Sequence, residues 1–115
     1  MKTSEIKIKI TLDEAKIPEK IEWEADDLNE VQTLEAKAMS LSFWDAREPG
    51  TLKIDLWNKE MEVPEMKRFI IEVLTGLADM ARRATSDEIM AMDIDHLCQS
   101  LSRRLEQEFK NSGEQ

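Results

Sequence analysis

MSLSFWDAREPGTLKIDLW, residues 39–57, consists of two alternating runs joined by a short Pro-Gly connection, the pattern of a β-hairpin. With Asp45 opposite Gly50 and residues 46–49 as the loop, Phe43 faces Leu52, Leu41 faces Ile54 and Met39 faces Leu56, so all of these apolar side chains share one face. A loop one residue longer would set Trp44 against Leu52 and Phe43 against Lys53, mixing apolar and charged groups on both faces. Burial therefore selects the first register. The opposite face then carries Ser40, Ser42, Trp44, Thr51, Lys53, Asp55 and Trp57. Two indoles on an otherwise polar face are more apolar surface than contact with water alone would favour. They are the residues on which a functional reading turns.

Before the hairpin, residues 5–12 alternate strictly, with Ile6, Ile8, Ile10 and Leu12 on one side. Residues 19–25 alternate again, sending Ile21, Trp23 and Ala25 inward, and the two runs are predicted to pair antiparallel. Residues 26–37, DDLNEVQTLEAK, break the pattern and read as an acidic crossover; Leu28, Val31 and Leu34 loosely fit a helical turn capped by Asp26 or Asp27. After the hairpin, Pro64 opens a helix over residues 64–84 whose stripe is Met66, Phe69, Ile70, Val73, Leu74, Leu77, Ala81 and Ala84. Gly76 inside it suggests a close approach to a neighbouring element. The capping-box spacing of Thr85 and Glu88 ends this helix and starts a second over residues 86–110, with Met90, Ile94, Leu97, Cys98, Leu101, Leu105 and Phe109 on one side. A polar tail, residues 111–115, follows. The order predicts one α+β domain over residues 1–115: a four-stranded antiparallel sheet of two hairpins (strands 5–12, 19–25, 38–45 and 50–57), covered on one face by two C-terminal helices. Its expected core is Ile6, Ile8, Ile10, Ile21, Trp23, Leu41, Phe43, Ile54 and Leu56.

At 115 residues with 41% hydrophobic and 36% charged residues, the chain can bury a real core and remain soluble. Its net charge of -9 disfavours nucleic acid and anionic membranes as partners. The pairs Arg82 with Arg83 and Arg103 with Arg104 fall toward helix C-termini, where cations complement the helix dipole. The lone Cys98 allows no intrachain disulfide, and the longest apolar run is too short to span a bilayer. The opening MKTSEIKIKI alternates Lys with Ile and lacks the apolar core of a signal peptide, so a cytoplasmic location is expected.

No catalytic, cofactor-binding or metal site emerges. Three glycines cannot build a glycine-rich phosphate loop, and one histidine excludes a two-histidine metal motif. Asp93, His96 and Cys98 invite a metal, but a lone histidine on an amphipathic helix reads better as a boundary residue and Cys98 as a small hydrophobe. Asp45 and Asp55 fall near opposite ends of the hairpin, too far apart to share a proton; one reads as a turn residue, the other as a partner for Lys53. Of the seven methionines, Met39, Met66 and Met90 fall on core stripes, leaving Met61, Met80 and Met92 for the surface. For Trp44 and Trp57 two readings stand. Either they cover the outer sheet face together with the stems of Lys53 and Lys7, or beneath the crossover segment, or they anchor a partner, as tryptophan does at interface hot spots.

The segments MKTSEIKIKITLDEAKIPEKIEW, EAKAMSLSFWD and LKIDLWNKEMEVPEMKRF, with the Ala81 to Asp87 turn into the last helix, resemble the GldC family of gliding-motility-associated proteins of Bacteroidetes, with Trp23, Trp44, Asp45, Asp55, Trp57 and Pro64 in order. The resemblance covers nearly the whole chain. It implies a cytoplasmic accessory protein, without an established active site, linked to a process tied to a cell-envelope motor and its secretion system. Strands followed by two helices in a small acidic chain also look like the architecture of SecB-type export chaperones, an analogy of fold alone. The resulting expectation is a non-enzymatic adaptor. It would bind a protein of the gliding or secretion machinery through Trp44 and Trp57, with Ser42, Lys53 and Asp55 as polar rim. A SecB-like holder of unfolded envelope or secreted proteins is the alternative. Open strand edges at either side of the sheet would let copies pair, and a homodimer is expected.

Overall fold

In the computed structural model, which describes residues 1–26 and 32–113, the alternating N-terminal isoleucines form strand β1, Ile6–Leu12. It pairs antiparallel with β2, Pro18–Ala25, with Ile6 opposite Ala25, Ile8 opposite Trp23 and Ile10 opposite Ile21. The register shifts at Leu12, which meets Pro18; a proline without an N–H is tolerated at the first residue of a strand. The turn between them is built by Asp13. Its Oδ1 accepts the Ala15 and Ile17 backbone N–H groups at 2.8 and 2.9 Å, while Lys16 takes a left-handed φ of 63°.

The chain divides into two units, Met1–Met61 and Glu62–Gln115. In the first, a short strand the sequence reading missed, β3, Leu34–Ala36, pairs with β2 on its other side, giving the order β1-β2-β3. Ile10 and Ala36 thus flank Ile21 in the central strand, and Ile21 is 1% exposed. Of the helical turn considered for this segment, Leu28 and Val31 lie outside the described residues, and Leu34 belongs to a strand. Lys37 alone separates β3 from β4, Ala38–Trp44, which pairs with β5, Thr51–Trp57. Among the described residues the strands therefore form two sheets, of three strands and of two, in place of the single four-stranded sheet expected. A three-residue strand offers too little alternation to stand out from an acid-rich stretch. The hairpin register is the expected one: Phe43 meets Leu52, Leu41 meets Ile54 and Met39 meets Leu56. The Asp45 N–H donates to the Gly50 carbonyl at 3.0 Å, and the Asp45 carboxylate accepts the Glu48 N–H, so Asp45 is a turn residue.

The expected core fills only in part. Ile21 is buried and Ile10, Trp23, Leu41 and Leu56 are half-buried, whereas Ile6, Ile8, Phe43 and Ile54 are exposed. Position in the sheet sets Ile21, in the central strand β2, apart from the others. β1 is an edge strand, and a two-stranded sheet gives its side chains neighbours on one flank only.

The second unit is an αα-hairpin. Helix α1, Val63–Thr85, starts with Pro64 in its first turn, and the Met66 N–H donates to the Glu62 carbonyl at 2.9 Å. It ends at Ser86, whose left-handed φ of 59° lets its N–H reach the Arg82 carbonyl. Helix α2, Glu88–Gly113, is capped by Asp87, whose carboxylate accepts the Met90 N–H at 2.9 Å. The expected capping box does not form. The Thr85 hydroxyl donates to the Ala81 carbonyl at 2.6 Å and accepts the Asp87 N–H, and Glu88 turns to Arg82 instead. Small residues let the helices approach: Ala78, Ala81, Ala91 and Cys98 are buried. Gly76 is not a point of close approach, since a side chain there would meet nothing within 4 Å. Among the described residues no helix is long and apolar enough to cross a membrane.

Candidate functional site

Strand alternation aims every second residue of β4 and β5 at one side, and the observed pairs Trp44–Thr51, Ser42–Lys53, Ser40–Asp55 and Ala38–Trp57 lie on the side opposite Phe43 and Leu52. Ser42, Trp44, Lys53, Asp55 and Trp57, the five residues singled out in the sequence, therefore share one face, and all are exposed. Trp44 is 73% and Trp57 52% exposed. The indoles do not form one cluster. Trp44 sits at the loop end of the hairpin and Trp57 at the far end, about 20 Å away at the rise of an extended strand.

Between them runs a polar ladder. The Ser40 hydroxyl donates to Asp55 Oδ1 at 2.7 Å, and Lys53 Nζ lies 3.2 Å from Asp55 Oδ2. The Ser40 hydrogen bond first, and the Lys53 ammonium second, hold the Asp55 carboxyl below the usual aspartate range. Ser40 was not among the singled-out residues, although the predicted register already set it opposite Asp55. What this face offers is two flat apolar anchors around a fixed carboxylate and an ammonium. Its one hydroxyl paired with a carboxylate is Ser40, and the lowered pKa of Asp55 makes that carboxylate a weak general base.

The other ionisable groups are engaged elsewhere. Asp13 receives the Lys59 ammonium on Oδ2, which with its two backbone hydrogen bonds lowers the Asp13 pKa and raises that of Lys59. Arg82 grips Glu88 through Nε at 3.0 Å and Asp95 through Nη2 at 2.6 Å, and Arg83 pairs with Asp79, so these two arginines are not a free basic patch. Asp93 and His96 are exposed, while Cys98 is buried with its sulfur near the Thr75 hydroxyl and the Ile71 carbonyl. Among the described residues no three His, Cys, Asp or Glu side chains converge as a metal site.

A family model described as gliding motility-associated protein GldC-like matches residues 18–107. The chain belongs to the GldC-like family. The match takes in the second and third strands, the whole β4–β5 hairpin with both exposed tryptophans, and most of the helical hairpin. Membership links this chain to gliding motility and leaves the role of the hairpin face to be argued from its chemistry. Comparison with curated proteins and with solved structures gives no match.

Proposed function

We propose that this GldC-like chain is a non-enzymatic, cytoplasmic accessory protein that binds a protein of the gliding or secretion machinery through the outer face of the β4–β5 hairpin. Trp44 and Trp57 anchor the partner, and Ser42, Lys53 and Asp55 form the polar rim. Nucleic acid and direct membrane insertion have no part in this reading. The observation that carries it is the exposure of two tryptophans on one face, joined by an ordered Ser40–Asp55–Lys53 ladder. The part of an indole left in water contributes little to folding, while one buried in a partner is among the strongest interface anchors.

The test is a Trp44→Ala, Trp57→Ala double variant, shown by circular dichroism to be folded and then compared with wild type in affinity capture from native lysate. Each truncation should cost about 2 kcal/mol of binding, roughly thirtyfold in affinity. Defined motility or envelope proteins captured by wild type should be lost. Equal capture by both baits would reject this face, and unfolding of the variant would make the tryptophans structural.

A second reading, holding unfolded envelope or secreted chains, is favoured by a different observation: Phe43, Leu52 and Ile54 are exposed on the opposite face of the same hairpin. It predicts suppressed aggregation of unrelated unfolded proteins at stoichiometric ratios. Absence of suppression would remove it.

A further inference from the structure

Each helix of the α1–α2 hairpin carries two adjoining apolar seams, and the second is only partly covered, with Met66, Val73, Ile94 and Leu101 half-buried. The inner seam holds the buried Ala78, Ala81, Ala91 and Cys98, with Ile71 and Leu105 half-buried beside them. The second lies one position round each helix: Met66, Ile70, Val73, Leu77 and Met80 on α1, and Met90, Ile94, Leu97 and Leu101 on α2, all in alternating steps of four and three residues. Ile70, Leu77, Met80, Met90 and Leu97 in this seam are 48%, 40%, 52%, 50% and 49% exposed.

In an antiparallel pair of right-handed helices, seams displaced in the same rotational sense from the contact emerge on the same side. A shallow groove of about 190 Å³, lined by Ile70 and Leu101 between Lys67, Arg104 and Glu108, marks that side. The hairpin is thus a two-helix layer with one bare apolar side. A layer of this kind buries that side against another. The four-and-three spacing is that of helices packing knobs into holes, and an αα-hairpin with such a side is half of a four-helix bundle.

Charge on the same side selects the occupant. Asp93 and Arg104 stand three helical turns apart on one face of α2, flanking Leu97 and Leu101, and neither has an ion-pair partner among the described residues. When two α2 helices run antiparallel about a two-fold axis passing between residues 98 and 99, Asp93 meets the partner's Arg104, twice. A two-fold interface requires such self-complementarity. The area is also sufficient. At roughly 60 Å² buried for each of the seam residues, two copies remove about 1,100 Å² from water, above the ~1,000 Å² expected of a specific interface.

We propose that the bare side of the α1–α2 hairpin seats the same side of a second copy of this chain, forming an antiparallel four-helix bundle with α2 against the partner's α2. This surface is separate from the hairpin face that carries Trp44 and Trp57, and variants of the two are expected to act independently.

Sedimentation equilibrium of the full chain tests it. Wild type should have the mass of two chains at micromolar concentration, and Leu97→Asp should be a monomer that keeps its helical circular dichroism. Asp93→Arg and Arg104→Asp should each weaken association about tenfold, because each sets like charges face to face twice, and the two together should restore it. The charge variants, at exposed positions, keep the test sound if Leu97→Asp fails to fold. A wild type that is monomeric at every concentration would overturn the proposal. So would additive losses in the double charge variant, which would mean that copies meet elsewhere or that the chain's own strands cover this side.

Discussion

Asp55 and Asp13 are both surface carboxylates whose pKa is held down, and for both the stability consequence has one sign. A carboxylate with a depressed pKa in the folded chain contributes stability above its unfolded pKa, and loses it as the pH falls through the folded value. The ordinary value is 3.8 for each, so their contributions are complete at neutral pH and disappear in the acid range below it. Lys59 runs the other way: raised above 10.5, its contribution is lost only as the pH climbs beyond that value. Urea unfolding midpoints followed down from neutral pH should therefore fall less steeply for Asp13→Asn and for Asp55→Asn than for wild type. Ser40→Ala should flatten the Asp55 contribution more than Lys53→Ala does, since the hydroxyl is its main cause. The Ser40–Asp55 contact was legible in the sequence, because the register that buries the most apolar surface sets the two opposite each other. The Asp13–Lys59 contact was not, because no local spacing connects a turn aspartate with a lysine beyond the last strand.

The junction between the helices shows how local signals compete. Thr85 and Glu88 have capping-box spacing, yet Asp87 lies two residues nearer the first free N–H groups of α2 and takes the role. Glu88 is then free to meet Arg82. Asp87→Ala should cost about 1 kcal/mol in thermal or denaturant unfolding, as loss of an N-cap does, with a correspondingly lower Tm. Gly76 offers the opposite change. Its helical surroundings leave open space for a methyl group, so Gly76→Ala should stabilise the chain by roughly 0.5–1 kcal/mol, read as a higher denaturant midpoint. At this scale the long elements were readable because they repeat their period many times: the hairpin through six apolar positions in two strands, the helices through stripes of several turns. β3 was not, since three residues cannot establish a period and its strand character comes from pairing with β2.

For the molecule as a whole, alternation and stripes said which side chains share a face, and the structure adds that several of those faces stay open. Ile6, Phe43, Leu52 and Ile54 in one unit, and Ile70, Leu77 and Leu97 in the other, are exposed although the sequence places Ile6, Phe43 and Ile54 in the core and the rest on apolar faces. Periodicity orients a side chain. It does not state what lies opposite, and among the described residues the strands form two sheets where a single one was expected. A fluorescent apolar dye should bind the native chain, and its signal per molecule should grow on dilution as copies separate; a signal independent of concentration would argue against association through these faces. The Asp13–Lys59 contact also bears on how the first unit folds. It joins the first turn to the segment after the last strand, next to the buried Asn58, whose N–H donates to the Lys37 carbonyl. Closing a loop that spans most of the unit carries an entropic cost, so this clasp is expected to form after the local hairpins have nucleated. A latch fastened last is released first. Neutralising Asp13 should accelerate unfolding in stopped-flow measurements while leaving the refolding rate nearly unchanged, so the clasp governs how long the folded unit persists more than how fast it assembles.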